Sequence, residues 1–116
     1  TRSRVVTGVQ TCALPILIYW QFEDYEVPGA RELGEAFASL SGYELADTPY
    51  ESSFAGYKDW FIQNYRRPGY TIEVGMGENP LPLEQFDEIY NDNIGILTLA
   101  ATGLAMPIEN SPAEDK

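Results

Sequence analysis

Two short apolar runs limit what this chain can fold into, because they are the segments that best fit β-strands. Residues 17–22 (LIYWQF) lack a clean alternation of apolar and polar side chains, which is typical of an interior strand covered on both faces. Residues 70–75 (YTIEVG) do alternate, so that Thr71 and Glu73 share one face and Ile72 lies on the other. An interior strand needs a neighbour on each side, so these two runs predict part of a larger sheet.

Helical patterns lie between and after the two strands. Pro28 and Gly29 open a stretch of helical periodicity that Gly42 ends. Residues 56–67 (GYKDWFIQNYRR) predict a shorter helix, and residues 43–54 predict a loop with at most a short strand. A long third helix is predicted to carry one apolar stripe, made of Phe86, Ile89, Tyr90, Ile94, Leu97, Ala101 and Leu104.

Strands that alternate with helices predict an α/β layer arrangement in one domain, residues 17–106. Two strands with three helices do not complete a sheet, so we expect the fold to be incomplete and the isolated chain to fold poorly. Residues 107–116 are polar and acidic, and they are predicted to be a disordered tail.

The first sixteen residues have a pattern of a different kind. Residues 6–16 can be encoded by the sequence of a common sequencing-adapter primer, and Thr1 and Arg2 fit the tail of the same adapter. A natural N-terminal arm is the alternative. We therefore leave residues 1–16 out of the fold prediction as a non-native segment and expect them to make no specific contacts. The natural sequence is then expected to begin at about Leu17.

The charge of the chain excludes some partner classes. The full sequence has 7 basic and 18 acidic residues and a net charge of −11. Without Arg2 and Arg4, the 5 basic residues that remain against 18 acidic residues give a net charge of −13. Such a surface repels phosphate backbones and anionic membranes, so we expect neither nucleic acid nor membrane as a partner. No apolar run is long enough to span a bilayer.

Glu73 is the candidate site residue that the sequence indicates without any comparison. An acid in the middle of an apolar strand must be paired, hydrated or functional. Gly75 follows at once, so Glu73 lies near the carboxyl end of its strand, where open α/β sheets bind ligands. A surface glutamate on an edge strand is the alternative, and it stays open at this point.

Residues 55–100 resemble the C-terminal end of a zinc carboxypeptidase of the carboxypeptidase A type. The nearest resemblance is to the bacterial gamma-D-glutamyl-L-diamino acid endopeptidases, which act on peptidoglycan peptides. In that family an Asp-Trp pair precedes the strand with the catalytic glutamate, and here Trp60 stands 13 positions before Glu73. Residues 18–20 (IYW) resemble the strand that follows the third zinc ligand. The resemblance covers about residues 17–104 and implies the C-terminal part of a mixed-sheet, zinc carboxypeptidase-like fold.

The resemblance also implies roles for three residues. Glu73 matches the general acid and base, which takes a proton from water and gives it to the leaving amine. Tyr50 matches the mobile tyrosine that closes over the substrate, although the spacing to Trp60 is one residue longer than in carboxypeptidase A, and an ordinary loop tyrosine is the alternative. Lys58 falls where the family's specificity residue lies and can pair with the extra carboxylate of a diaminopimelate side chain; a solvated helix lysine is the alternative.

One departure from the family concerns the metal. The family binds zinc through two histidines and a glutamate, and this chain has no histidine. The resemblance therefore implies zinc in a full-length parent, an inactive chain as given, and peptide or muropeptide substrates for the parent. A non-catalytic homologue, or an acidic binding module that never held zinc, is the alternative function.

We predict that a natural reading frame homologous to this chain diverges from it upstream of Leu17. Adapter sequence is joined to DNA only during library preparation, so genomic DNA should not encode residues 1–16 next to that codon. Sequencing the source genomic DNA across the codon tests this directly. The same sixteen residues encoded contiguously in adapter-free DNA would contradict the adapter interpretation.

Overall fold

The computed structural model describes residues 16–54 and 56–103, which form a mixed arrangement of a small sheet and three α-helices. Two single 3-10 turns, Tyr50–Ser52 and Leu83–Gln85, lie in the connections. The strands and α-helices follow one another along the chain as β1 (Leu17–Tyr19), α1 (Ala30–Ser41), β2 (Glu44–Ala46), α2 (Tyr57–Tyr65), β3 (Thr71–Glu73) and α3 (Phe86–Gly103).

The sheet has the strand order β2-β1-β3, so β1 is its central strand. β1 pairs in parallel with β2 and antiparallel with β3. The prediction of an interior strand at β1 is therefore confirmed, and the short strand allowed in the predicted loop is β2. Because β3 runs antiparallel, its carboxyl end lies beside the amino end of β1, where Glu73 pairs with Leu17. Glu73 is the last residue of β3, so its expected place near the carboxyl end of its strand is confirmed, but the carboxyl end of β1 lies at the opposite edge of the sheet.

Alternation along the strands separates the two faces of the sheet. Ile18 pairs with Leu45 on one side and with Ile72 on the other, and all three side chains belong to the hydrophobic core. α1 and α3 pack over this face, where Phe37 and Ile96 are buried beside Ile18. The expected placement of Ile72 on the apolar face is confirmed.

α1 has the boundaries that its glycines predict. Gly29 precedes the helix with φ 80°, and Gly42 follows it with φ 79°, a left-handed conformation that glycine adopts without steric cost. The Gly42 N–H donates to Ala38 O at 2.8 Å, which satisfies a carbonyl of the last turn. The predicted end of this helix is confirmed.

Ile16 belongs to the fold, contrary to the expectation that residues 1–16 make no specific contacts. Its carbonyl accepts a hydrogen bond from Glu44 N at 3.2 Å, and its side chain packs against the core cluster. The hydrogen bond extends the pairing of β1 with β2 by one residue, which is the physical reason for the correction. The predictions for residues 1–15, Leu104 and the tail at 107–116 lie outside the described residues.

α3 is buried on a different face from the one its apolar stripe predicts. Its buried residue is Ile96, beside the half-buried Leu99 and Ala100, and the helix contacts α1 on this side. Gly95 lies against Leu40 of α1. The helix carries apolar residues almost all round, so periodicity alone does not determine which side is covered. Four stripe residues are exposed to between 42% and 63%: Phe86, Tyr90, Ile94 and Leu97.

Within residues 16–54 and 56–103, no helix combines the length and the apolarity that a bilayer span requires. α3 is the longest helix there, with 18 residues, and it carries acidic residues in its first turn.

Two neighbouring residues of α3 provide a test of its orientation. Ile96 is 2% exposed and Leu97 is 63% exposed. We expect Ile96→Ala to lower the free energy of unfolding by about 2–5 kcal/mol, because it removes packed methyl groups and leaves a cavity. Leu97→Ala should change it by about 0.5 kcal/mol or less. Urea unfolding followed by circular dichroism measures both. Equal losses, or a larger loss at Leu97, would show that the stripe is the covered side.

Candidate functional site

A cavity of about 390 Å³ lies on the sheet face opposite the core. Two of the predicted site residues, Glu73 and Lys58, are among its lining residues. The strands, the loop after β2 and the start of α2 all contribute to the lining, which consists of Leu17, Tyr19, Thr48, Pro49, Ser52, Gly56, Lys58, Asp59, Thr71 and Glu73.

Glu73 is the last residue of β3 and is half-buried in the cavity wall. Thr71 shares this face with it, as the alternation predicts, while Ile72 faces the core. β3 is an edge strand of the described sheet, as the alternative of a surface glutamate on an edge strand requires. Glu73 is half-buried and lines the partly open cavity, so it is not a fully exposed surface residue.

Lys58 is buried at the start of α2, with only 4% of its side chain exposed. Its Nζ donates to Gln21 O at 2.6 Å and to Asp59 Oδ1. The alternative of a solvated helix lysine is wrong for this reason. A buried ammonium requires partners of this kind, since an unpaired charge would be strongly disfavoured away from water.

Asp59 is a site residue that the sequence reasoning did not single out. Its side chain is 6% exposed, it forms an ion pair with Lys58, and it lines the same cavity. It lies in the first turn of α2, where a carboxylate interacts favourably with the positive end of the helix dipole. Gly56, the N-cap residue, makes no side-chain capping bond. The available signal was an acid next to a lysine in the first turn of a predicted helix.

The segment after β1 is held in place by bonds to the loop after β2. Thr48 Oγ1 donates to Gln21 O at 2.8 Å, and Trp20 Nε1 donates to Asp47 Oδ1 at 3.1 Å. These bonds orient the carbonyl that Lys58 also contacts. The position of the Lys58 ammonium therefore depends on α2, on the segment after β1 and on the loop after β2.

Tyr50 does not line the cavity. It is 70% exposed and stacks edge-on against Phe54, with ring centroids 5.1 Å apart. Its neighbours Pro49 and Ser52 are part of the cavity wall. Tyr50 thus lies beside the cavity on a short 3-10 turn, with its ring directed elsewhere.

Two described tyrosines with shifted pKa values lie away from this cavity. Burial raises the pKa of Tyr70, whose hydroxyl donates to Ala30 O at 2.6 Å, and the charge of Glu32 acts in the same direction. Burial also raises the pKa of Tyr43, an effect that the hydrogen bond from Asn93 Nδ2 opposes. The side chains of Tyr43 and Tyr70 both pack at the core.

The described residues do not form a zinc ligand set. Residues 16–54 and 56–103 contain no group of three or more His, Cys, Asp or Glu side chains that could hold a metal ion. The sequence has no histidine, and Cys12 lies outside the described part. We therefore assign no residue of this chain to a metal.

Two curated relatives match the chain. One is "Gamma-D-glutamyl-L-diamino acid endopeptidase 1" of Lysinibacillus sphaericus, 52% identical over 80 residues, which are 69% of this chain and 20% of the relative. The other is "Uncharacterized protein YqgT" of Bacillus subtilis (strain 168), 42% identical over 80 residues, which are 69% of this chain and 21% of the relative. The chain spans about a fifth of the length of the relatives it matches. It is thus homologous to a segment of a protein named as an endopeptidase, a class of hydrolase.

No protein-family profile matches this chain, and no solved structure matches it.

The buried ion pair makes a prediction about stability. We expect Lys58→Met to lower the free energy of unfolding by about 3–5 kcal/mol, because it leaves the Asp59 carboxylate buried without its partner. A double variant that adds Asp59→Leu should regain most of this loss, since no unpaired charge remains. Urea unfolding of both variants measures the difference. A loss below about 1 kcal/mol in the single variant would be the result expected of an exposed lysine and would contradict the burial.

Proposed function

We propose that this chain provides part of the active site of a zinc-dependent endopeptidase that hydrolyses peptidoglycan-type peptides. The bond cleaved joins gamma-D-glutamate to a diamino acid, in a peptide or muropeptide substrate. The observation that carries the proposal is the shared cavity of Glu73 and Lys58, in a chain 52% identical to a segment of an endopeptidase so named. Nucleic acids and membranes are not among the proposed partners.

Glu73 acts as the general acid and base in this proposal. Its carboxylate accepts a proton from the attacking water and then donates that proton to the amine that leaves with the diamino acid. Its place in the wall of a partly enclosed cavity supports this role, since a proton acceptor must stand within reach of both water and the scissile bond. β3 supports the side chain on a regular element, which limits its freedom.

Lys58 and Tyr50 bind substrate in this proposal. Lys58 pairs with a carboxylate on the diamino acid side chain, and its presence in the same cavity as Glu73 supports that role. Tyr50 closes over the bound peptide from the turn beside the cavity; its exposed ring leaves room for such a movement. This second assignment requires the ring to turn toward the cavity when substrate binds.

Zinc belongs to the proposal only for the longer protein. The described residues do not fit a zinc site, so the metal is assigned to residues outside this chain. Zinc at such a site would polarise the scissile carbonyl. The steps given for Glu73, Lys58 and Tyr50 use only side chains of this chain.

A chimeric enzyme tests the proposal. The matching 80 residues of this chain replace their counterpart in the endopeptidase of Lysinibacillus sphaericus, whose remaining sequence supplies the rest of the protein. We expect the chimera to cleave a gamma-D-glutamyl-diaminopimelate peptide. Glu73→Gln should lower its kcat by about 10²- to 10⁴-fold, because the amide keeps the shape of the side chain and removes the base. Zinc content and thermal stability should stay nearly unchanged.

The matched control is Glu78→Gln, which changes an exposed acid in the loop after β3 and should leave kcat within about twofold. A Glu73→Gln chimera that keeps near wild-type activity would make Glu73 structural. A folded chimera that retains zinc but cleaves no peptide would instead favour the alternative, a non-catalytic homologue or acidic binding module.

A further inference from the structure

We infer that a second cavity, next to the one that contains Glu73, binds a sugar ring of a peptidoglycan-type glycan chain. This cavity has a volume of about 420 Å³ and lies between the turn after β1, the residues before α2 and α2 itself. We call it the aromatic cavity, because Phe22, Phe54 and Trp60 are among its lining residues. The inference rests on the proposed function for the choice of this class of sugar.

Trp60 provides a flat and partly exposed surface in the aromatic cavity. The residue is 47% exposed, and its ring contacts the ring of Tyr57 at 5.3 Å and that of Tyr65 at 5.6 Å between centroids. These contacts restrict the rotation of the indole ring before any ligand binds. A sugar ring has a face of C–H groups, which pack favourably on the electron-rich face of an aromatic ring.

Two exposed polar side chains, Glu23 and Gln63, line the same cavity. Sugar hydroxyl groups both donate and accept hydrogen bonds. A carboxylate accepts them, and an amide does both. Gln63 Nε2 donates to the Tyr25 hydroxyl at 3.4 Å, which uses one of the two N–H donors of the amide. A cavity of this volume with aromatic walls and a few polar groups is typical of a small-molecule site.

A tight turn holds Glu23 at the cavity. Tyr25 N donates to Phe22 O at 3.0 Å, and the rings of these two residues stack with centroids 5.1 Å apart. Glu23 has φ 44°, a left-handed conformation that residues other than glycine rarely adopt. Residues kept in such conformations are found preferentially at ligand sites, and this one lines the aromatic cavity.

The charge of the aromatic cavity favours a ligand that is uncharged and rich in hydroxyl groups. None of its lining residues, all of which lie in the described part of the chain, is basic. Glu23 is acidic, and Asp59, the other acid of the lining, is compensated by Lys58. Phosphates and other anions are therefore repelled. A sugar hydroxyl donates to a carboxylate without bringing a negative charge.

The exposed apolar surface around the cavity differs in kind from that of α3. Among the described residues from 50 to 65, the large apolar side chains that are exposed are all aromatic: Tyr50, Phe54, Tyr57, Trp60 and Tyr65. α3 exposes aliphatic side chains as well, at Ile94 and Leu97. Aromatic rings with an O–H or N–H group at one edge match a ligand that has an apolar face and a polar rim. A sugar has this form.

The aromatic cavity and the cavity of Glu73 are neighbours, since Gly56 and Asp59 line both. Peptidoglycan joins peptides to sugar chains in one polymer. A peptide in the first cavity therefore brings sugar rings close to the second, which raises their local concentration there.

Oxidative footprinting of the chimera described above, read by peptide mass spectrometry, tests the inference with triacetylchitotriose as the probe. We expect Trp60 to be oxidised readily in the free protein, and the sugar to slow the oxidation of Trp60 and Phe54 at concentrations up to about 10 mM. Tyr90, which is 55% exposed on α3, is the internal reference and should be unaffected by the sugar.

Two results of the footprint would overturn the inference. Slow oxidation of Trp60 without sugar would show that the rest of the longer protein covers the cavity. Rapid oxidation that the sugar does not slow would show that the cavity takes another ligand or none. Footprinting does not require catalysis, so a chimera that shows protection but cleaves no peptide contradicts only the proposed function, and one that cleaves without protection contradicts only the inference.

Single variants assign the binding to Trp60. Trp60→Leu removes the flat ring and keeps an apolar side chain, so the sugar concentration that half protects Phe54 should rise at least about tenfold. Tyr90→Leu removes an aromatic ring of similar exposure and is the matched control, which should change this concentration by about twofold or less. Equal values in the two variants would overturn the inference. The footprint of the unsubstituted chimera does not depend on the folding of either variant.

Discussion

The pairing of β1 on both of its edges is the constraint on which the rest of the structure depends. Ile18 is fully buried and sits between Leu45 and Ile72. Because side chains alternate along a strand, the residues on either side of it, Leu17 and Tyr19, must point to the opposite face, and both line the cavity. One strand register thus determines the core and the site together, and a shift by a single residue would exchange them.

The position of α2 depends on a different interaction, the one between Lys58 and the chain after β1. The Lys58 ammonium joins α2 to Gln21 O, and Thr48 joins the same carbonyl to the loop after β2. Buried ion pairs of this kind do not always stabilise a fold relative to apolar residues, because both charges lose their hydration. Their geometry is specific, however. Here it holds α2, the segment after β1 and the loop after β2 around the cavity.

The sequence predicted the features that are local in origin. The end of α1 at Gly42 follows from glycine chemistry, and the faces of Ile72 and Glu73 follow from alternation. The features it missed depend on partners distant in the sequence. The antiparallel direction of β3 is a matter of topology, and the buried state of Lys58 depends on a carbonyl 37 positions away. The prediction of the covered side of α3 from its apolar stripe failed because the helix is apolar on more than one side. The roles proposed for Glu73, Tyr50 and Lys58 came from the family resemblance and remain predictions.

The pairing of Lys58 with Asp59 bears on the chemistry proposed for Glu73. A lysine without a partner in the same cavity would attract the glutamate, and a carboxylate held in an ion pair is a weaker proton acceptor. Among residues 16–54 and 56–103, the ion pairs are Lys58–Asp59 and Arg31–Glu35, so Lys58 is engaged by its neighbour in sequence and Glu73 by neither cation. In the proposed function, Asp59 would thus allow the cation assigned to binding and the base assigned to proton transfer to lie in one cavity.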